Sequence, residues 1–193
     1  MLSFDDNPPI RSPLLKLEEG VSHTWCIAHT LSRSEKAFAW DLFKRKVPYF
    51  LPMVERVTFS GGRKRRGLLP LFSSYVFVDG REESYHRALT TNRLCQLIKV
   101  VDNHSLTQDL LTIDRALKNN LVLDPYPHAV VGRRCRITAG PLRGTEGVVV
   151  QRSQGAFKLV LEVRMLGQGA SVEIEVDLLE PVDSLVPATR ATV

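Results

Sequence analysis

The chain has 193 residues, 44% of them hydrophobic, and a formal net charge of +5, enough to bury one substantial core plus a small one and to favour a polyanionic neighbour. No apolar run approaches the roughly 18 residues of a membrane span, and no basic-then-apolar signal opens the chain, so a soluble, two-part, cytoplasmic protein without membrane contact is expected. Cys26, Cys95 and Cys135 are odd in number and far apart, which indicates neither a disulfide framework nor a CxxC metal knuckle, and all three read better as buried small hydrophobes.

In chain order, residues 1–22 open with Asn7-Pro8-Pro9 and Ser12-Pro13 and lack periodicity, which predicts an extension that is mobile at its start. Trp25 to Thr30 reads as a first strand. Ser32-Arg33-Ser34-Glu35 matches a capping box and predicts a helix with Phe38, Ala39, Leu42 and Phe43 on one face, ended before Pro48. The densest positive cluster is Arg63, Lys64, Arg65 and Arg66 between Gly61-Gly62 and Gly67, which places it on an exposed loop or hairpin tip. Such a tip contacts phosphates without reading sequence. Lys44, Arg45 and Lys46 broaden the patch only weakly, because successive helical positions face different directions.

Ser73 to Val78 has strand composition, with Tyr75 and Phe77 pointing one way and Val76 and Val78 the other. Both faces are apolar, so the second asks for another layer or a partner. A short helix over Arg81 to Leu89 and a strand over Leu94 to Val101 follow. Ser105-Leu106-Thr107-Gln108 is a second capping box, leading Leu106, Leu110, Ile113 and Leu117 at helical spacing to Asn119-Asn120. Asp124-Pro125-Tyr126-Pro127 resists both regular structures and reads as a linker. Beyond it Val131, Cys135 and Ile137 alternate with Arg134, Arg136 and Thr138, as in a half-buried strand with a basic face. Gly140-Pro141 and Gly144 suit a tight turn, and Gly147 lets two backbones approach before Val148, Val149 and Val150 enter a buried strand.

The run from Arg136-Ile137 through Gly140-Pro141 and Gly144 to Gly147 resembles the KOW motif of NusG-type transcription factors and certain ribosomal proteins. The resemblance implies an SH3-like barrel of about five strands, with further strands at Lys158 to Val163, Ser171 to Val176 and Leu178-Leu179, and a hairpin turn at Gly167-Gln168-Gly169. Pro70-Leu71-Phe72-Ser73-Ser74-Tyr75-Val76-Phe77-Val78 is similar to the PLFPxYxFV pattern of the NusG family, with Ser73 where proline is common. Trp25 at the opening strand and Pro52 to Glu55 before a hairpin extend the likeness. Ribosomal KOW proteins lack such a first domain, so the pairing points to the NusG family. The implied fold class is α+β: an extension (1–22), an NGN-like α/β sandwich (23–120), a linker (121–130), an SH3-like KOW barrel (131–183) and a tail (184–193).

The resemblance further implies that the first domain docks on the clamp helices of the RNA polymerase β′ subunit, with Phe72, Tyr75 and Phe77 at the aromatic positions and Pro70 and Leu71 completing the pocket. Aromatic side chains suit that role because they bury large areas at low entropic cost. Phe72 and Phe77 suit a core equally well, whereas the Tyr75 hydroxyl requires a polar partner or water. DNA near the transcription bubble is the implied target of Arg63 to Arg66. Leu142 takes a loop position where phenylalanine commonly binds Rho or a small-subunit ribosomal protein, and Arg143 beside it suits an acidic partner. The extension, Leu142, the cationic tip and the linker lean toward a specialised, RfaH-like paralogue that modulates pausing and termination as an antiterminator. A monomer is expected.

An alternative is a ribosome-associated or RNA-binding KOW protein with Arg133, Arg134 and Arg136 on phosphates. Enzymatic function is not expected. His23, His29, His86, His104 and His128 lack metal-ligand spacing, no GxSxG or P-loop is present, and Glu82-Glu83, Glu173 and Glu175 read as solvated surface. No cofactor or metal is therefore expected.

Overall fold

The computed structural model describes residues 7–60, 63–126, 132–153 and 156–182. The first unit runs β1 (Trp25–Thr30), α1 (Glu35–Lys44), β2 (Tyr49–Phe50), β3 (Met53–Ser60), β4 (Arg63–Pro70), β5 (Tyr75–Asp79), α2 (Glu82–Leu89), β6 (Leu94–Lys99) and α3 (Asn103–Lys118). Four of these strands form an antiparallel sheet in the order β2-β5-β1-β6, and β3 pairs with β4 in a separate hairpin.

The alternation in β5 works as its sequence demands. Phe77 shares a buried cluster with Trp25, Ile27 and Phe50 of the sheet and with Leu106, Leu110 and Ile113 of α3. Val76 and Val78 join the other cluster, with Ala28, with Phe38, Ala39 and Leu42 of α1, and with Ala88 of α2. The extra layer that two apolar faces require is therefore supplied by the chain's own helices. Phe43 departs from the expected inward face: it is exposed and lies edge-on to Trp40, at a centroid separation of 5.6 Å.

Neither capping box forms as written. The N-cap of α1 is Ser34, without a side-chain cap bond, and the Glu35 carboxylate accepts from the Ser74 N–H of another segment. The N-cap of α3 is Asp102, whose carboxylate accepts the Ser105 N–H at 2.9 Å. The helix then ends where the asparagines predict, at C-cap Asn119, with Asn120 at a φ of 53°.

The extension is integrated from Asn7 onward; residues 1–6 lie outside the described residues. The Ser12 N–H donates to the Tyr49 carbonyl (2.9 Å) and the Leu51 N–H to the Ile10 carbonyl (2.7 Å), so the extension prolongs the sheet beyond β2. Leu15 and Leu17 are buried, Arg11 pairs with Asp114 of α3 at 3.4 Å, and Glu19 pairs with Arg115. A sheet edge of two residues leaves backbone groups open, and this segment satisfies them.

The second unit contains β7 (Asp124–Tyr126), β8 (Arg133–Ile137), β9 (Glu146–Ser153), β10 (Ala156–Val163), β11 (Gln168–Glu175) and β12 (Leu179–Pro181). They form one antiparallel sheet ordered β12-β8-β9-β10-β11-β7. Two expectations change here. The pairing leaves β12 and β7 as free ends, so no closed barrel is formed among the described residues. The supposed linker also supplies a strand: Pro125 is tolerated in β7 because an edge strand need not donate every backbone N–H. Residues 127–131, the end of the linker and the start of the basic strand, lie outside the described residues.

The glycine reading of the turn holds. Gly140 and Gly144 both have φ of 81°. A Cβ at Gly147 would meet the Val160 carbonyl oxygen at 2.7 Å, which is why β9 can lie so close to β10. The next hairpin turns earlier than expected, through Arg164–Leu166 and Gly167 at φ 60°, with Gln168 and Gly169 already in β11. Among the described residues no helix is long and apolar enough to cross a membrane.

Candidate functional site

The segment from Pro70 to Val78 is built around a strained turn. The Leu71 N–H donates to the Pro52 carbonyl at 2.8 Å and the Tyr75 N–H to the Phe72 carbonyl at 3.2 Å. Ser74 has a φ of 67°, a left-handed conformation that costs a residue with a Cβ about 1–2 kcal/mol. Both sides of its peptide are held. Its N–H donates to Oε1 of the buried Glu35 at 2.6 Å, and its carbonyl accepts the Thr30 N–H at 2.8 Å. A hydrogen bond to a charged acceptor contributes about 1.5–3 kcal/mol, enough to offset the strain. Next to Glu35, the Lys36 ammonium donates to the Leu68 carbonyl and to Asn7 Oδ1. Burial lowers the Lys36 pKa, against the opposing pull of Glu35.

Within this segment Leu71, Phe72 and Phe77 are no more than 1% exposed. Phe72 meets Phe77 edge-on with centroids 6.0 Å apart. Their cluster continues through α3 into the second unit, where it includes Ile137, Leu142, Leu159 and Leu161. Pro70 and Tyr75 are only partly buried. Tyr75 stacks on His29, its cross-strand partner, at 5.1 Å and 22°. Sequence reasoning missed His29 as a companion of Tyr75, because nothing local announces which residues of two strands will face each other.

The cationic cluster is not confined to a loop. Arg63, Lys64, Arg65 and Arg66 begin β4, in register with Ser60, Phe59, Thr58 and Val57; Gly61 and Gly62 lie outside the described residues. The glycines predicted the reversal, but strand pairing extends to the first residue after them. Arg66 is exposed, 3.8 Å from Glu55, an ion pair that contributes little. At the hairpin base Arg56 reaches Asp124 at 2.7 Å, and Lys158 lies 3.7 Å from the same carboxylate. Arg45 is committed elsewhere: it donates to the Arg87 carbonyl (3.1 Å) while Arg87 donates to the Arg45 carbonyl (2.9 Å), so each guanidinium serves the other helix's C-terminus.

In the second unit Leu142 is 1% exposed and belongs to the shared cluster, whereas Arg143 is exposed. Arg143 lines a polar cavity of about 350 Å³ together with Asp109 of α3, Arg134, Glu146, Glu162 and Arg164. Arg134 lies 3.4 Å from Glu162, and Arg136 lies 2.7 Å from Glu146. The basic face of β8 is thus partly neutralised. Cys26 and Cys135 are buried as expected and burial raises both thiol pKa values, but Cys95 is exposed, on a strand whose neighbouring residues are only partly covered. Among the described residues no three His, Cys, Asp or Glu side chains converge as a metal site.

Asp109 joins the two units. Its carboxylate accepts the Arg164 backbone N–H at 3.2 Å and Nη2 at 3.0 Å. Burial raises the Asp109 pKa above its usual value despite the pull of Arg164, so the folded chain binds a proton here more readily than the unfolded one. Folding therefore gains from this group as pH falls through the raised pKa toward 3.8, and loses that gain as pH rises. Asp109→Asn should be at least as stable as the wild type at pH 7, and the two proteins should converge on acidification. Denaturant unfolding across pH measures this; a less stable Asn variant at every pH would contradict it.

The chain thus carries a helix-covered sheet with a held aromatic turn and a cationic hairpin, followed by a six-stranded antiparallel sheet. Residues 23–112 match the family model described as transcription termination factor nusG. The chain is similar to the structure titled "Domain interaction in Thermotoga maritima NusG", with 20% identity, 83% of this chain and 97% of that chain covered, and a TM-score of 0.46. It is also similar to the MjSpt4:Spt5 complex in conformation B, with 15% identity, the same coverage of 83% and 97%, and a TM-score of 0.24. No curated protein matches the chain.

Proposed function

We propose that the chain docks on the β′ clamp helices of RNA polymerase through the rim of the segment from Pro70 to Phe77, and biases the enzyme toward its elongating state. The observation that carries this is the partial exposure of Tyr75 beside His29, above a rigid base of buried Leu71, Phe72 and Phe77. A half-exposed aromatic on a preorganised base is the form an interface anchor takes. Affinity that the paused state lacks is sufficient to hold the elongating state, without chemistry. In this reading the second unit is the KOW module, Arg63 to Arg66 track DNA near the bubble, and the factor acts as a cytoplasmic monomer. Leu142 is buried, so a Rho or small-subunit ribosomal partner that takes it must first compete with the contact between α3 and the second unit.

The engagement of Arg134 and Arg136 by glutamates favours this reading over an RNA-binding one. The protein should co-purify with polymerase rather than with ribosomal particles. Polymerase occupancy profiled with and without the protein should change at a few operons if it is a specialised antiterminator, and across the genome if it is a general factor. Undiminished binding to clamp helices by the Phe72→Ala, Tyr75→Ala double variant would refute the docking assignment.

A further inference from the structure

We propose that the first turn of α1 is the positioning device for the docking segment, with Glu35 as its principal residue and Lys36 as a second hold. The inference rests on the docking reading above and adds residues to it. Glu35 is 7% exposed, and its oxygen is spent on the Ser74 N–H rather than on its own helix terminus. A buried carboxylate needs strong donors, and the amide it finds belongs to the left-handed residue just before Tyr75. The Thr30 N–H fixes the other side of Ser74 from the end of β1, next to His29. Lys36 reaches the Leu68 carbonyl on the opposite flank of the turn, and through Asn7 it attaches the extension to the same point. Two consecutive residues of α1 thus grip the segment on both sides of Phe72.

The consequence concerns the anchor. With the turn released, Tyr75 would sample orientations that binding must then restrict, and affinity would fall although no contact residue had changed. A residue whose only role is helix stability would not produce that effect.

The test measures affinity of the full chain for a reconstituted elongation complex, together with hydrogen exchange at the Ser74 amide. Leu42→Ala, from the same helix, serves as the destabilised control. Glu35→Ala should weaken binding about tenfold and speed Ser74 exchange, Glu35→Gln should restore most of both because it keeps an acceptor, and Leu42→Ala should change neither beyond about twofold. If Glu35→Ala does not fold, Glu35→Gln carries the test with a smaller loss in the same two readouts. Equal losses in Glu35→Ala and Leu42→Ala, or fast Ser74 exchange with unchanged affinity while Tyr75→Ala still weakens binding, would overturn the positioning role and leave the docking assignment standing. Full binding by Tyr75→Ala would overturn both.

Discussion

Alanine at Phe77 and alanine at Tyr75, two positions apart on one face of β5, should fail in different ways. Phe77 is fully buried between the sheet and α3, and its truncation removes an aromatic side chain from a site bounded by a sheet and a helix that cannot collapse freely. The expected cost is about 3–5 kcal/mol of stability, read as a lowered denaturant midpoint with an unchanged slope. Tyr75→Ala loses chiefly the stack on His29, about 0.5–1.5 kcal/mol. Its main effect should appear in binding, where loss of an anchor of about 2 kcal/mol weakens the polymerase complex roughly thirtyfold. The pair thus separates scaffold from interface. If Tyr75→Ala destabilised the fold as much as Phe77→Ala while binding per folded molecule stayed unchanged, Tyr75 would be a core residue.

The second large effect belongs to the hairpin. Replacing Arg63, Lys64, Arg65 and Arg66 together by alanine should flatten the salt dependence of binding to forked DNA. Each phosphate contact contributes about 0.7–0.9 to the slope of log affinity against log salt, so the slope should fall by about 3. Between roughly 50 and 200 mM salt the wild type should lose affinity steeply and the variant only mildly. Stability should barely change, since Arg66 is exposed and its ion pair with Glu55 is long. Specificity among DNA sequences should not change either, because phosphate contacts position a protein without reading bases. An unaltered salt slope would remove the cations from the nucleic-acid interface.

Much of this protein was legible in its residues, for local reasons. The alternation in β5 assigned Phe77 and Val76 to opposite faces before any partner was known, and both clusters bear it out. The spacing of Leu106, Leu110, Ile113 and Leu117 marked α3, and Asn119-Asn120 marked its end. Capping boxes were the weaker signal. The motif assumes that the acid serves its own helix, whereas Glu35 found a more demanding donor in Ser74, 39 residues away in sequence. The prolines at 125 and 127 hid a strand for a similar reason, since proline forbids only an interior position and β7 lies at an edge.

By itself the sequence determined the elements, the alternation of their faces, and the glycine turn at Gly140 and Gly144. These depend on periodicity and on backbone angles that a few neighbouring residues dictate. Tertiary structure alone decided that Leu71, Phe72 and Leu142 lie in one buried cluster, that Tyr75 is backed by His29, that the extension completes the sheet edge, and that Asp109 joins the two units. Each of these depends on which residues, distant along the chain, exclude water from one another, and pairing across a sheet or between units is not encoded in any local window.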